Sequence, residues 1–180
     1  MNETKVNELV SQCKAGSAEA LEKLLRWVVS LVHKTLFGMA RNHDLAEELT
    51  QEVAEVVVTR LASYKSGTRF RQWVLTIAAN RFKDHLRRKK LLREPCEKLD
   101  HIAAKNESPS LATERMARQQ ELWQAISQLK TEERTIFCLR HVGELSFKEI
   151  AKTLGKPLGT VLSTQHRAMT QLAKKLKNDR

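Results

Sequence analysis

Proline and cysteine are scarce in this chain of 180 residues, and strand-like alternation is essentially missing. Only Pro95, Pro109 and Pro157 occur, each where helical periodicity already breaks, so long uninterrupted helices are permitted. The three cysteines, Cys13, Cys96 and Cys138, are too few and too odd in number for a disulfide framework, which fits a reducing compartment. The apolar run at 24–32 is interrupted by Arg26 and is too short to cross a bilayer, and no N-terminal signal pattern is present. P-loop, GxSxG and HExxH patterns are absent, and no nucleophile is grouped with a base. The expectation is a cytoplasmic, non-enzymatic protein without a cofactor.

What the chain does have is basic charge in two blocks. Formal net charge is +11, which favours a polyanionic partner. Residues 1–90 and 114–180 each carry net +6, and residues 91–113 carry net −1. Hydrophobic residues at 41% suffice for compact cores.

Apolar residues recur at helical period nearly throughout. Helices are expected at 5–14, and from an N-cap at Ser17 to about 39. The next is expected from a cap at Asp44, with Glu47 at the capping-box position, to about 64. Residues 65–69 contain Gly67 and read as a loop before a helix at 70–92. Residues 93–113, with Pro95 and Ser108-Pro109-Ser110, read as a flexible or locally helical linker. Helices follow at 114–129, from a Thr131 cap to 142, from a Ser146–Glu149 capping box to 154, and at 158–177. The fold class is therefore all-α: two small helical domains, 1–92 and 114–180, joined by the linker 93–113.

Two neighbouring helices carry opposite charge. On a wheel of 44–64, Leu45, Ala46, Leu49, Val53, Val56 and Val57 share one arc. Asp44, Glu47, Glu48, Gln51, Glu52 and Glu55 share the other, with no Lys or Arg between 44 and 55. A solvated face is the plain alternative. However, the face has a single sign and carries apolar Val58 at its edge, which a basic helical partner would satisfy. On 70–92 the stripe Thr76, Asn80, Lys83, Arg87 and Lys90 opposes Val74, Leu75, Ala78, Phe82 and Leu86. Residues 69–93 hold nine basic side chains against Asp84 alone, enough to neutralise several phosphates. Asn80 can also reach base edges, whereas Phe70 and Trp73 read as core.

Helix 146–154, a tight turn at Gly155, and helix 158–177 have helix-turn-helix spacing. Phe147, Ile150, Ala151 and Leu154 are expected to pack the pair. Val161, Ala168, Met169, Leu172 and Leu176 are expected to face inward, and Thr160, Ser163, Thr164, Arg167, Gln171 and Lys174 outward.

Two motif groups carry a resemblance. One is AEELTQEV at 46–53 followed by FRQWVLTIAANRFKDHLRR at 70–88. The other is AISQLKTEERTIFCLRHV at 125–142 followed by SFKEIAKTLGKPLGTVLSTQHRAMTQL at 146–172. Together they resemble an extracytoplasmic-function (ECF) sigma factor of bacterial RNA polymerase. The resemblance implies that Glu47, Glu48, Gln51, Glu52 and Glu55 bind the coiled-coil clamp of the polymerase β′ subunit. It implies that the loop 63–69, with Ser66, Thr68 and Arg69, holds an extruded base of the −10 element. Thr76, Asn80, Lys83, Arg87 and Arg88 would then lie beside the strand. The second domain would grip the −35 duplex through Lys156, Thr160, Ser163, Thr164, His166 and Arg167, and would meet the β-subunit flap. The family is commonly controlled by an anti-sigma factor, so such a partner is implied as well. Where the family reads TVKSRLxRAR this chain reads TVLSTQHRAM at 160–169, so Leu162 replaces a Lys and Thr164 an Arg. Gln165 falls on the inner arc, where a buried amide needs partners or costs roughly 1–3 kcal/mol.

Cys138-x-x-His141 and Cys96-x₄-His101 could suggest a metal, but zinc needs four converging ligands and Cys138 reads as a small core residue. A helix-turn-helix regulator binding DNA alone would need dimerisation and leaves the acidic face unexplained. A DNA recombinase would need a catalytic serine constellation that the N-terminal half does not offer.

Overall fold

A computed structural model describes residues 1–65, 69–92 and 114–178, and among these the chain is helical with no strand. The expected linker 93–113 lies outside the described residues. Helices α1 (Glu3–Lys14), α2 (Ala18–Ala40), α3 (His43–Arg60) and α4 (Phe70–Leu92) form the first half. The second half contains α5 (Glu114–Ser127), α6 (Thr131–His141), α7 (Phe147–Leu154) and α8 (Leu158–Asn178).

Several helix ends follow from local chemistry. Ser17 caps α2 through its hydroxyl, which accepts from the Ala20 N–H. Ser146 and Glu149 form the expected reciprocal capping box on α7. Gly155 ends α7 in the left-handed region at φ 63°, which sets the tight turn before α8. Two expected caps fall one or two residues early. Asn42, not Asp44, caps α3: its Oδ1 accepts from the Leu45 N–H at 2.8 Å. Thr131 is the first residue of α6 rather than its cap, and the Glu133 carboxylate instead accepts from the Lys130 N–H. Helix α3 also stops at Arg60, four residues short of expectation. Ser63 and Tyr64 donate to the Arg60 and Leu61 carbonyls and close a turn there.

The first half packs α2 against α3, α1 and α4. Ala46, Leu49, Val53 and Val57 bury one face of α3, so its acids are left outside. Each fully buried Val or Leu contributes about 1.5–3 kcal/mol.

The two halves share one continuous core, with α2 against α6 and α4 against α7. Two glycines permit this. Gly38 brings α2 onto Cys138 and Trp123, and a Cβ on Gly143 would stand 2.7 Å from Leu75 Cδ1 and 2.8 Å from the Leu139 carbonyl. Polar ties cross the same seam. The Arg134 guanidinium donates to the Met39 carbonyl at 2.8 Å and to the Ser127 and Leu129 carbonyls at 3.2 Å, satisfying acceptors at helix ends. Buried Arg71 pairs with Glu144 at 3.0 Å and lies 5.4 Å from the Trp27 ring centre.

Candidate nucleic-acid interface

Helix α3 presents its acids as the sequence pattern requires. Glu47, Glu48, Gln51 and Glu55 are exposed, Glu52 is half-buried, and Val58 is exposed at the edge. The face is not wholly uncompensated. Arg81 of α4 reaches Glu52 at 3.4 Å, and His43 Nδ1 stands 3.8 Å from Glu47. The 44–55 window could not show Arg81, which lies 29 residues from Glu52.

On α4, Asn80, Lys83, Arg87, Arg88 and Lys90 are exposed along one side, while Val74, Leu75, Ala78 and Phe82 are buried on the other. Phe70 is fully buried, and it meets the Tyr64 ring edge-on and the Trp73 ring at a tilt in an aromatic cluster at the start of the helix. Two expected strand contacts are engaged by the second half. The Thr76 and Thr153 hydroxyls lie 3.1 Å apart, and Arg69 stands 3.6 Å from both Glu3 and Glu149. Ser66 and Thr68 lie outside the described residues.

Helix α8 is rotated relative to the expected wheel. Val161, Thr164, Gln165, Ala168 and Leu172 are buried, whereas Met169 is exposed. Thr164 therefore faces the core, and its hydroxyl accepts from Arg167, so no DNA contact is open to it. The cause is that α8 packs on α5, α6 and α7 together, which centres the buried arc on 161, 164, 165 and 168. Gln165 is buried as its arc predicted: its Nε2 lies 2.9 Å from His141 Nε2, and its Oε1 has no hydrogen-bond partner among the described residues. Thr160, Ser163, His166 and Arg167 are exposed on the outer side, with Lys156 half-buried at the turn.

Two acids in the first turn of α6 orient residues of the outer face, a role that no sequence pattern marks. Glu132 pairs with Lys156 at 2.8 Å. Buried Glu133 stands 3.8 Å from Arg167 and 3.5 Å from Gln171 Nε2, so it orients two residues of the outer face. Their position favoured the helix dipole and signalled nothing more. Cys138 is fully buried, and burial pushes its thiol up to about 12 despite the nearby Arg134 and Arg41. Among the described residues, no group of His, Cys, Asp and Glu could hold a metal ion, and no helix is long and apolar enough to cross a membrane.

Residues 21–91 match the family Sigma-70 region 2, and residues 119–172 match Sigma-70, region 4. The chain is 31% identical over 157 residues to the RNA polymerase sigma factor CarQ of Myxococcus xanthus, covering 87% of this chain and 89% of CarQ. It is 32% identical over 153 residues to the ECF RNA polymerase sigma factor SigE of Mycolicibacterium smegmatis, covering 84% of this chain but 59% of SigE. The fold is similar to that of the sigma factor RpoE of Bartonella quintana, solved with the anti-sigma factor NepR. There the TM-score is 0.65 at 23% identity, covering 88% of this chain and 98% of RpoE. The chain belongs to the ECF sigma factors of the sigma-70 family, and it is a transcription-initiation sigma factor that directs promoter recognition.

Proposed function

We propose that the protein binds core RNA polymerase through α3 and carries it to promoters, reading −10 DNA with one half and −35 DNA with the other. One observation carries this reading: a single-signed exposed acidic face on α3 lies beside an exposed basic stripe on α4. Residues 1–92 form the polymerase and −10 domain, 93–113 the linker, and 114–180 the −35 domain. Glu47, Glu48, Gln51, Glu52 and Glu55 dock on the β′ clamp coiled coil, where an acidic face complements a basic one. Ser66, Thr68, Arg69, Thr76, Asn80, Lys83, Arg87 and Arg88 take the melted −10 strand. Holding an extruded base in a pocket offsets part of the unstacking cost. Thr76 and Arg69 must first exchange Thr153 and Glu149 for DNA.

The −35 duplex meets Lys156, Thr160, Ser163, His166 and Arg167, and the second half also meets the β flap. Buried Thr164 is not among the DNA contacts. The protein works in the cytoplasm, at the nucleoid through the polymerase, and performs no catalysis of its own. Bartonella quintana RpoE is bound by an anti-sigma factor, which supports an inhibitor of that class for this chain.

The test is reconstitution. Purified protein is mixed with core RNA polymerase and fragments of host DNA, and promoter-dependent transcripts are mapped. Transcripts that start downstream of a shared motif pair are expected. Stable DNA binding without polymerase, together with no co-elution with core, would show a stand-alone regulator instead.

A further inference from the structure

Helix α1 precedes the residues that match the region 2 family. Its Val6, Leu9 and Val10 are buried against the rest of the first half, which accounts for its docking but not for its polar ends. Both ends hold the same short piece of chain. At the C-terminal end, Lys14 Nζ donates to the Tyr64 carbonyl and stands 5.6 Å from the centre of the Tyr64 ring. At the N-terminal end, the Glu3 carboxylate faces Arg69 Nε at 3.6 Å, and the Met1 carbonyl accepts from Arg71 at 3.3 Å. Glu3 is mostly covered, and its Oε1 is buried without a hydrogen-bond partner among the described residues, so its second oxygen carries the tie to Arg69. Tyr64 and Arg69 are five positions apart, and α1 grips each with a charged side chain. Charge-assisted bonds are roughly twice as strong as neutral ones. Fixing two anchor residues beforehand also lowers the conformational entropy left to lose on binding.

We propose that Lys14 and Glu3 are positioning residues for −10 recognition, acting through Tyr64 and Arg69 and not touching DNA themselves. This rests on the reading above that residues 63–69 take the extruded base. Helix α1 is then a brace that sets where the Arg69 guanidinium and the Tyr64 backbone stand when the strand arrives. Lys14 supplies charge, reach and an aromatic contact together, so arginine can replace it and an apolar chain of equal length cannot.

The experiment uses the full chain bound to core RNA polymerase, with two probes: a pool of single-stranded oligonucleotides and a pool of duplexes, each randomised over a short window. Bound molecules are sequenced. Wild type is expected to enrich a short single-stranded motif. Lys14→Met is expected to lower enrichment at the most selective base about tenfold, as for one charge-assisted hydrogen bond lost. Its duplex motif and its co-elution with core should stay unchanged, and Lys14→Arg should restore the profile. Glu3→Gln should give a smaller loss of the same kind and serves as the second probe if Lys14→Met folds poorly by circular dichroism. An unchanged single-stranded profile in folded Lys14→Met and Glu3→Gln would overturn the brace while leaving the −10 reading intact. No single-stranded motif from wild type would overturn the −10 reading itself.

Discussion

A Cβ added to Gly38 would lie 2.7 Å from Cys138 Sγ and 3.3 Å from Trp123 Cζ3. Helices α2 and α6 thus meet at a point where one hydrogen is all that fits, and this contact joins the two halves. Gly38→Leu should destabilise the chain by about 1–3 kcal/mol, the usual cost of overpacking, read as a lower midpoint in urea. Gly38→Cys places two sulfurs within reach of a bond of about 2.05 Å. Mild oxidation of that variant should give a species that migrates faster on a non-reducing gel. Adding Cys138→Ser should abolish it. Because the buried thiol reacts slowly once folded, the oxidation is run during refolding, and a Gly38→Cys chain that fails to cross-link even then would show that the halves do not meet at this contact.

The Cys138 thiol, pushed up to about 12 by burial, should stay protonated and unreactive in the folded chain. Iodoacetamide at pH 8 should leave the Cys138 peptide unmodified in native protein and label it after denaturation, as read by mass spectrometry. Rapid native labelling would place Cys138 outside the core.

Glu48 is exposed with no ion pair among the described residues, whereas Glu52 is held by Arg81. Glu48→Lys should therefore test the acidic face with little structural cost. Co-elution with core polymerase should fall by about tenfold or more in affinity, as for a charge pair turned repulsive at an interface. Helicity by circular dichroism should be unchanged. Full core binding in this variant would make the face merely solvated.

Acid should weaken the start of α7. Burial alone would raise the Glu149 carboxyl, but the Ser146 hydroxyl and backbone N–H, together with Arg69, outweigh it and hold the group below its ordinary value. A lowered carboxylate contributes stability above the unfolded value of about 4.3, and that stability is lost as pH falls through the lower folded value. Glu149→Gln should thus melt at a lower temperature than wild type at pH 7, and the difference should close as pH falls below about 4. Ser146→Ala should cost about 1 kcal/mol at neutral pH through loss of the cap.

Gln165 is buried with one amide oxygen unpaired among the described residues. Gln165→Leu removes that penalty and leaves His141, which is exposed, to water. Stability should rise by up to about 1–2 kcal/mol in thermal or urea melts. A loss of more than about 1 kcal/mol would show that the contact with His141 outweighs the orphaned oxygen.

Much of the fold was legible because it rests on local signals. The arc Ala46, Leu49, Val53 and Val57 repeats at helical spacing, and that pattern alone places the acidic side of α3. The Ser146–Glu149 box and Gly155 marked the start and end of α7 in the same way. Asn42 and Lys130 show the limit of such signals. Each lies one or two residues before a better-looking candidate, and the tertiary path into the helix decided between them. The Thr164 and Met169 exchange has a related cause. Both lie near the border of the buried arc, and three neighbouring helices, not the polarity of either side chain, set the rotation of α8.

The sequence by itself determined the all-α class, the opposed charges of α3 and α4, and the helix-turn-helix, since each follows from periodicity within about twenty residues. The tertiary structure alone decided that Gly38 meets Cys138, that Arg81 neutralises Glu52, that Thr76 pairs with Thr153, and that α1 holds Tyr64 and Arg69. These contacts join residues from 29 to 100 positions apart. No local pattern encodes them, because they depend on how finished helices pack against one another.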